Sequence, residues 1–63
     1  MSGTIRNDIK IGSNVMIVQK QDQKSGKLTE GTVKKILTNS PNHPHGIKVM
    51  LDSGIVGRVK TIL

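Results

Sequence analysis

A seven-residue pattern occurs twice in this chain. Gly31–Leu37 (GTVKKIL) and Gly57–Leu63 (GRVKTIL) share Gly, Val, Lys, Ile and Leu at the same spacing. In each copy Val and Ile stand three apart, which breaks the alternation of a flat strand. A β-bulge near Lys34-Lys35 brings Val33 and Ile36 back to one face and bends the strand, so that it serves two halves of a curved sheet. Val59 and Ile62 repeat the device. A short amphipathic helix also gives a spacing of three, but the glycine before each valine and the β-branched content disfavour it. Two such strands within 63 residues predict a small, strongly bent sheet.

The rest of the chain agrees. Its apolar set is eight Ile, six Val, four Leu and three Met, with no Ala and no aromatic residue. Branched side chains of this kind suit a pleated surface. Val15–Val18 is apolar on both faces, as a strand covered on both sides must be. Ile47–Leu51 alternates, with Ile47, Val49 and Leu51 inward and Lys48 and Met50 outward. Asp52-Ser53-Gly54 is a hairpin connection with glycine where a positive φ is needed. Gln19–Leu28 is a hydrophilic loop turning at Ser25-Gly26. Residues 1–8 show no period and predict a flexible segment or one loose turn, with the ordered part starting near Ile9 and Ile11. Residues 9–63 then form a single all-β domain, a small barrel of about five bent antiparallel strands.

At this length the core is thin, and with no cysteine there is no disulfide or thiolate–metal staple. The absence of cysteine fits a reducing cytoplasm. No apolar run is long enough for a signal peptide or a membrane span, so neither export nor a membrane role is expected.

Two resemblances attach to these residues. Gly12-x-x-Val15-x-x-Val18, a hydrophilic loop and Gly31-x-Val33-x-x-Ile36 are similar to the KOW-type opening of an SH3-like barrel. KOW modules contact RNA or partner proteins in ribosomal and transcription-elongation contexts, so the resemblance implies that fold and that class of partner. The loop here is longer, and Gln19-Lys20 stands where KOW modules carry a glycine. A second resemblance, from about Arg6 to Ile62, is to the YwbE-like family of small uncharacterised microbial proteins. It rests on residues 22–29, Ile36-Leu37-Thr38-Asn39-Ser40, His43-Pro44-His45-Gly46-Ile47-Lys48-Val49 and Gly57-Arg58-Val59. It implies a barrel and no mechanism.

Function is read from charge and from one loop. Ten Lys and Arg against four Asp and Glu give a net charge of +6, which favours a polyanionic partner, nucleic acid first; charge also serves plain solubility. Lys34, Lys48, Arg58 and Lys60 occupy outward strand positions and predict one basic patch across three strands, with Lys24 and Lys27 on the hydrophilic loop beside it. Lysines on strands also discourage aggregation. Arg58 is the strongest candidate, because its planar fork binds phosphate bidentately, and Gly57 before it leaves backbone open to a close approach.

The loop Thr38–Gly46 is longer than a sheet turn requires. Pro41 and Pro44 stiffen it and present His43 and His45. These can donate to phosphate or base, or one can simply hydrogen-bond the loop's own backbone. Two histidines are too few for a closed zinc site, with Asp52 the only further ligand to suggest itself, so no metal and no cofactor are expected. Ser40 near His43 has nothing to orient it for nucleophilic work, and Gly26-Lys27 lacks the remainder of a phosphate loop. No enzyme and no small-molecule substrate are therefore expected. The reading is a module that binds nucleic acid, RNA ahead of DNA, or a ribonucleoprotein, through backbone charge. The alternative is a protein-interaction module that uses an edge strand and the 38–46 loop.

Overall fold

A computed structural model describes residues 3–20 and 24–63. Residues 1–2 of the predicted flexible segment and residues 21–23 of the hydrophilic loop lie outside the described residues. Four antiparallel strands are present among the described residues: β1 (Asn14–Val18), β2 (Leu28–Ile36), β3 (Lys48–Leu51) and β4 (Val56–Ile62). They pair in sequence order, and β4 returns to β1 to close a barrel.

Four strands replace the expected five because each copy of the repeat is used twice. The first half of β2 pairs with β1 and the second half with β3. β4 likewise pairs with β3 through Val56–Arg58 and with β1 through Arg58–Ile62. The bends that permit this lie where Val-x-x-Ile requires them. Leu51 faces Val33 but Met50 faces Lys35, so Lys34 is the extra residue of β2. Met16 faces Thr61 but Ile17 faces Val59, so Lys60 is the extra residue of β4. Both bulges fall at the same position of the repeat.

Inside, Ile9, Val15, Ile17, Val33, Ile47, Val49, Leu51 and Val59 form one buried cluster, with Ile36, Ile55 and Ile62 packed against it. Every inward residue expected of β3 and its approach is there. Ile11 is exposed, at the turn into β1. The β3–β4 hairpin closes through Leu51 N–H to Ile55 O and Gly54 N–H to Leu51 O, both 2.8 Å, with Gly54 at φ +88. Gly57 has a role beside the one expected. A Cβ there would lie 2.6 Å from the Val18 carbonyl oxygen and 2.8 Å from Ile17 Cδ1. Its missing side chain lets β1 and β4 pack closely, and the residue also lines a cleft beside Lys48 and Arg58.

The described residues of the N-terminal segment contain one turn, the second of the two expected alternatives. Residues 3–8 are tied along the long loop: Arg6 N–H donates to Pro41 O (2.8 Å), His43 N–H to Thr4 O (2.9 Å) and Ile47 N–H to Gly3 O (2.7 Å). Ile5 and Asn42 form a single bridge, and Arg6–Asp8 make one 3₁₀ turn. The sequence shows no period here because backbone groups, not alternating side chains, do the pairing. No helix among the described residues is long and apolar enough to cross a membrane.

Candidate functional site

The outer face of the barrel carries one cross-strand row. Leu28 pairs with Val18, Val18 with Arg58, and Arg58 with Lys48. Their chain neighbours Ile17, Val49 and Val59 point into the core, so the row points outward. Lys48 and Arg58 are thus direct cross-strand neighbours, as the expected patch requires.

Two clefts lie on this face, one on each side of Arg58. The first, of about 660 Å³, is lined by Val18, Gly26, Leu28, His45, Arg58 and Lys60. The second, of about 480 Å³, is lined by Val18, Lys20, Lys48, Val56, Gly57 and Arg58. Among the described residues no acidic side chain lines either cleft. The hydrophilic loop and the His-Pro-His-Gly loop, far apart in sequence, therefore form walls of one cleft.

The His43–Gly46 segment is a β-turn. Gly46 N–H donates to His43 O at 3.0 Å, with proline at the second position and glycine at the fourth, the preferences of a type I turn. Among the described residues only glycines have a positive φ, which excludes type II at His45. Gly46 itself has φ +101 and is buried, and a Cβ built on it would run into the Val59 carbonyl oxygen. Two cations of the expected patch hold this turn onto β4. Arg58 Nη1 donates to Gly46 O at 3.1 Å, and Lys60 Nζ donates to His45 O at 3.3 Å. At the other end of the loop, Lys48 N–H donates to Thr38 Oγ1 (2.8 Å) and Arg6 Nε to Thr38 O (2.9 Å). These contacts add to the stiffening by Pro41 and Pro44.

The two histidines divide their roles. His45 N–H donates to His43 Nδ1 at 3.2 Å, so His43 realises the backbone-bonding alternative. Its ring lies 5.7 Å from that of His45, tilted by 49°. Partial desolvation, then the Arg58 guanidinium, then His45 hold its pKa below the usual imidazole value of 6.5. The hydrogen bond accepted at Nδ1 acts in the same direction, because only the unprotonated nitrogen can accept it. His45 is exposed and lines the first cleft. Among the described residues no group of three or more His, Cys, Asp or Glu could hold a metal ion.

Other expected residues are placed less centrally. Lys34 is exposed at the β2 bulge and lines neither cleft. The extra residue reverses the alternation after it, so Lys35 rather than Lys34 faces Met50. Lys24 and Lys27 are exposed on either side of Gly26, which alone of the three lines a cleft. Four side chains of the site were not expected: Lys20, Val18, Leu28 and Val56. Lys20 stands two residues beyond Val18, past the end of β1, where strand alternation no longer fixes which way a side chain points.

The chain matches, over residues 2–62, the family described as "Uncharacterized conserved protein (DUF2196)". It is 59% identical over 63 residues to the "Uncharacterized protein YwbE" of Bacillus subtilis (strain 168), covering 100% of this chain and 97% of that one. No solved structure gives a significant match.

Proposed function

The chain belongs to the family of uncharacterized conserved proteins (DUF2196), and for this member of it we propose an RNA-binding module that grips the phosphate backbone without performing a reaction. The observation that carries the reading is the pair of clefts flanking Arg58. Lys20, Lys48, Arg58 and Lys60 converge on them, and among the described residues no acid lines either. Among the described residues Arg58 spends one of its donors on Gly46 O, so the rest of the fork is available to a phosphate. The arrangement suits structured RNA, or duplex DNA as a weaker substitute, with little sequence preference. The compartment that fits such a partner is the cytoplasm.

The test is a salt titration. If the four cations each neutralise one phosphate, log K falls with log salt at a slope of about −3.6. No binding to structured RNA at low salt removes the reading. A protein-interaction role has less support, because the closed barrel gives every strand neighbours on both sides and leaves chiefly the 38–46 loop to a partner. A complex that survives a salt concentration abolishing RNA binding would favour that role.

A further inference from the structure

The row Leu28–Val18–Arg58–Lys48 is not uniformly basic. It passes from two aliphatic side chains to two cations across four strands. Val18 is 5% exposed yet lies outside the main core cluster, and Leu28 is 41% exposed. Both line the first cleft, whose remaining walls are His45, Lys60, Arg58 and the open turn at Gly26. The second cleft brings three cations, Lys20, Lys48 and Arg58, beside Val18, Val56 and Gly57. Arg58 is the ridge between them.

A duplex offers this surface only half of what it can bind. Its phosphates meet the cations, but the faces of its bases are stacked and never reach Val18 or Leu28. An unpaired nucleotide has both parts, an apolar face and a phosphate. We infer that this face is a subsite for an unpaired nucleotide of RNA, with the base in the cleft over Val18 and Leu28 and the phosphate in the cleft of Lys20, Lys48 and Arg58. The chain has no aromatic residue to stack a base. The planes that replace it are the Arg58 guanidinium and the His45 imidazole, both of which stack bases in RNA recognition. The Arg58 Nη1–Gly46 O bond, 3.1 Å, holds that guanidinium at the boundary of the two clefts. The charge of the rim favours an RNA segment over an apolar peptide.

This inference rests on the RNA-binding reading, and one experiment separates their failures. A blunt RNA duplex and the same duplex carrying an unpaired bulge are titrated against the intact protein at several salt concentrations. The bulged RNA binds about tenfold tighter, with a similar salt slope, the low end of what base stacking contributes. Leu28→Thr, a strand-compatible change at an exposed position, removes the preference and leaves the duplex affinity in place. Arg58→Lys, which keeps the charge and loses the plane, also removes the preference, and because Arg58 itself contacts phosphate it weakens binding to both RNAs. Equal affinity for the two RNAs overturns the subsite while the electrostatic reading stands. So does a bulge preference that persists in both variants. Binding to neither RNA at low salt removes both. An acidic peptide carrying an apolar residue that binds where neither RNA does assigns the face to a protein partner instead.

Discussion

Replacing Gly46 by Ala tests the link between the loop and the barrel. Three costs follow from its position. An L-residue at φ +101 is disfavoured by about 1–2 kcal/mol. The new Cβ falls well inside 3.0 Å of the Val59 carbonyl oxygen, a backbone atom that cannot rotate away, and relieving such overpacking costs about 1–3 kcal/mol. Lifting the turn off β4 also breaks the Arg58–Gly46 hydrogen bond, about 1 kcal/mol. The sum is about 3–6 kcal/mol, against a total stability of roughly 3–9 kcal/mol for a chain of this size. Gly54 supplies the control. Its φ is +88, but a Cβ there would meet nothing within 4 Å, so Gly54→Ala carries only the first cost. Urea and thermal unfolding followed by far-ultraviolet circular dichroism suit a chain without Trp or Tyr. The two variants should differ by at least about 2 kcal/mol, or roughly 8–16 °C in Tm. Equal losses would show that the contact with Val59 does not exist, and with it the docking of the loop would fall.

Acid should weaken the fold through His43. Its pKa is lowered in the folded chain, so this contribution is fully present above about pH 6.5 and declines as pH falls below it toward the folded value. Thermal unfolding at pH 7 and at about 5.5 measures the decline, and His43→Asn, whose side-chain oxygen can still accept from His45 N–H, should reduce it. A Tm that rises on acidification refutes the assignment. RNA affinity should move the opposite way, rising on acidification because phosphate favours the imidazolium; affinity indifferent to pH makes both histidines structural. Arg58→Ala, Lys48→Ala and Lys20→Ala should each reduce the magnitude of the salt slope by about 0.9, whereas Lys10→Ala and Lys34→Ala should leave it near its starting value. Equal effects of all five reduce the binding to diffuse charge. Gly57→Ala should lower stability by about 1–3 kcal/mol, since its Cβ would press on Val18 O and Ile17 Cδ1; a neutral result contradicts the tight β1–β4 approach.

The bends of the barrel were legible because a strand that needs two apolar residues three apart has few ways to obtain them, and a bulge is the simplest. The same rule, followed further, would have moved the patch. One extra residue at Lys34 reverses inside and outside beyond it, which takes Lys34 away from Lys48 and Arg58. Lys60 is the extra residue of its own strand yet remains at the site, because the His43–Gly46 turn folds over it. That encounter depends on two loops meeting across the barrel, and no local pattern records it. The tying of residues 3–8 to the long loop was illegible for a related reason: its bonds are made by backbone atoms, which every sequence possesses.

Closure of the barrel has a kinetic meaning. The β1–β2, β2–β3 and β3–β4 pairs join successive strands, but β1–β4 brings Val15 to Ile62, which are 62 − 15 = 47 residues apart. Each hairpin alone leaves an apolar face uncovered, so none is stable before the last pair forms. The entropy of that long loop closure must be met while little of the core is yet buried. Folding should therefore be slow for so short a chain and all-or-none. Once the ring is shut, no strand can leave without opening two ladders, and the amides of all four strands should exchange with solvent only through global unfolding.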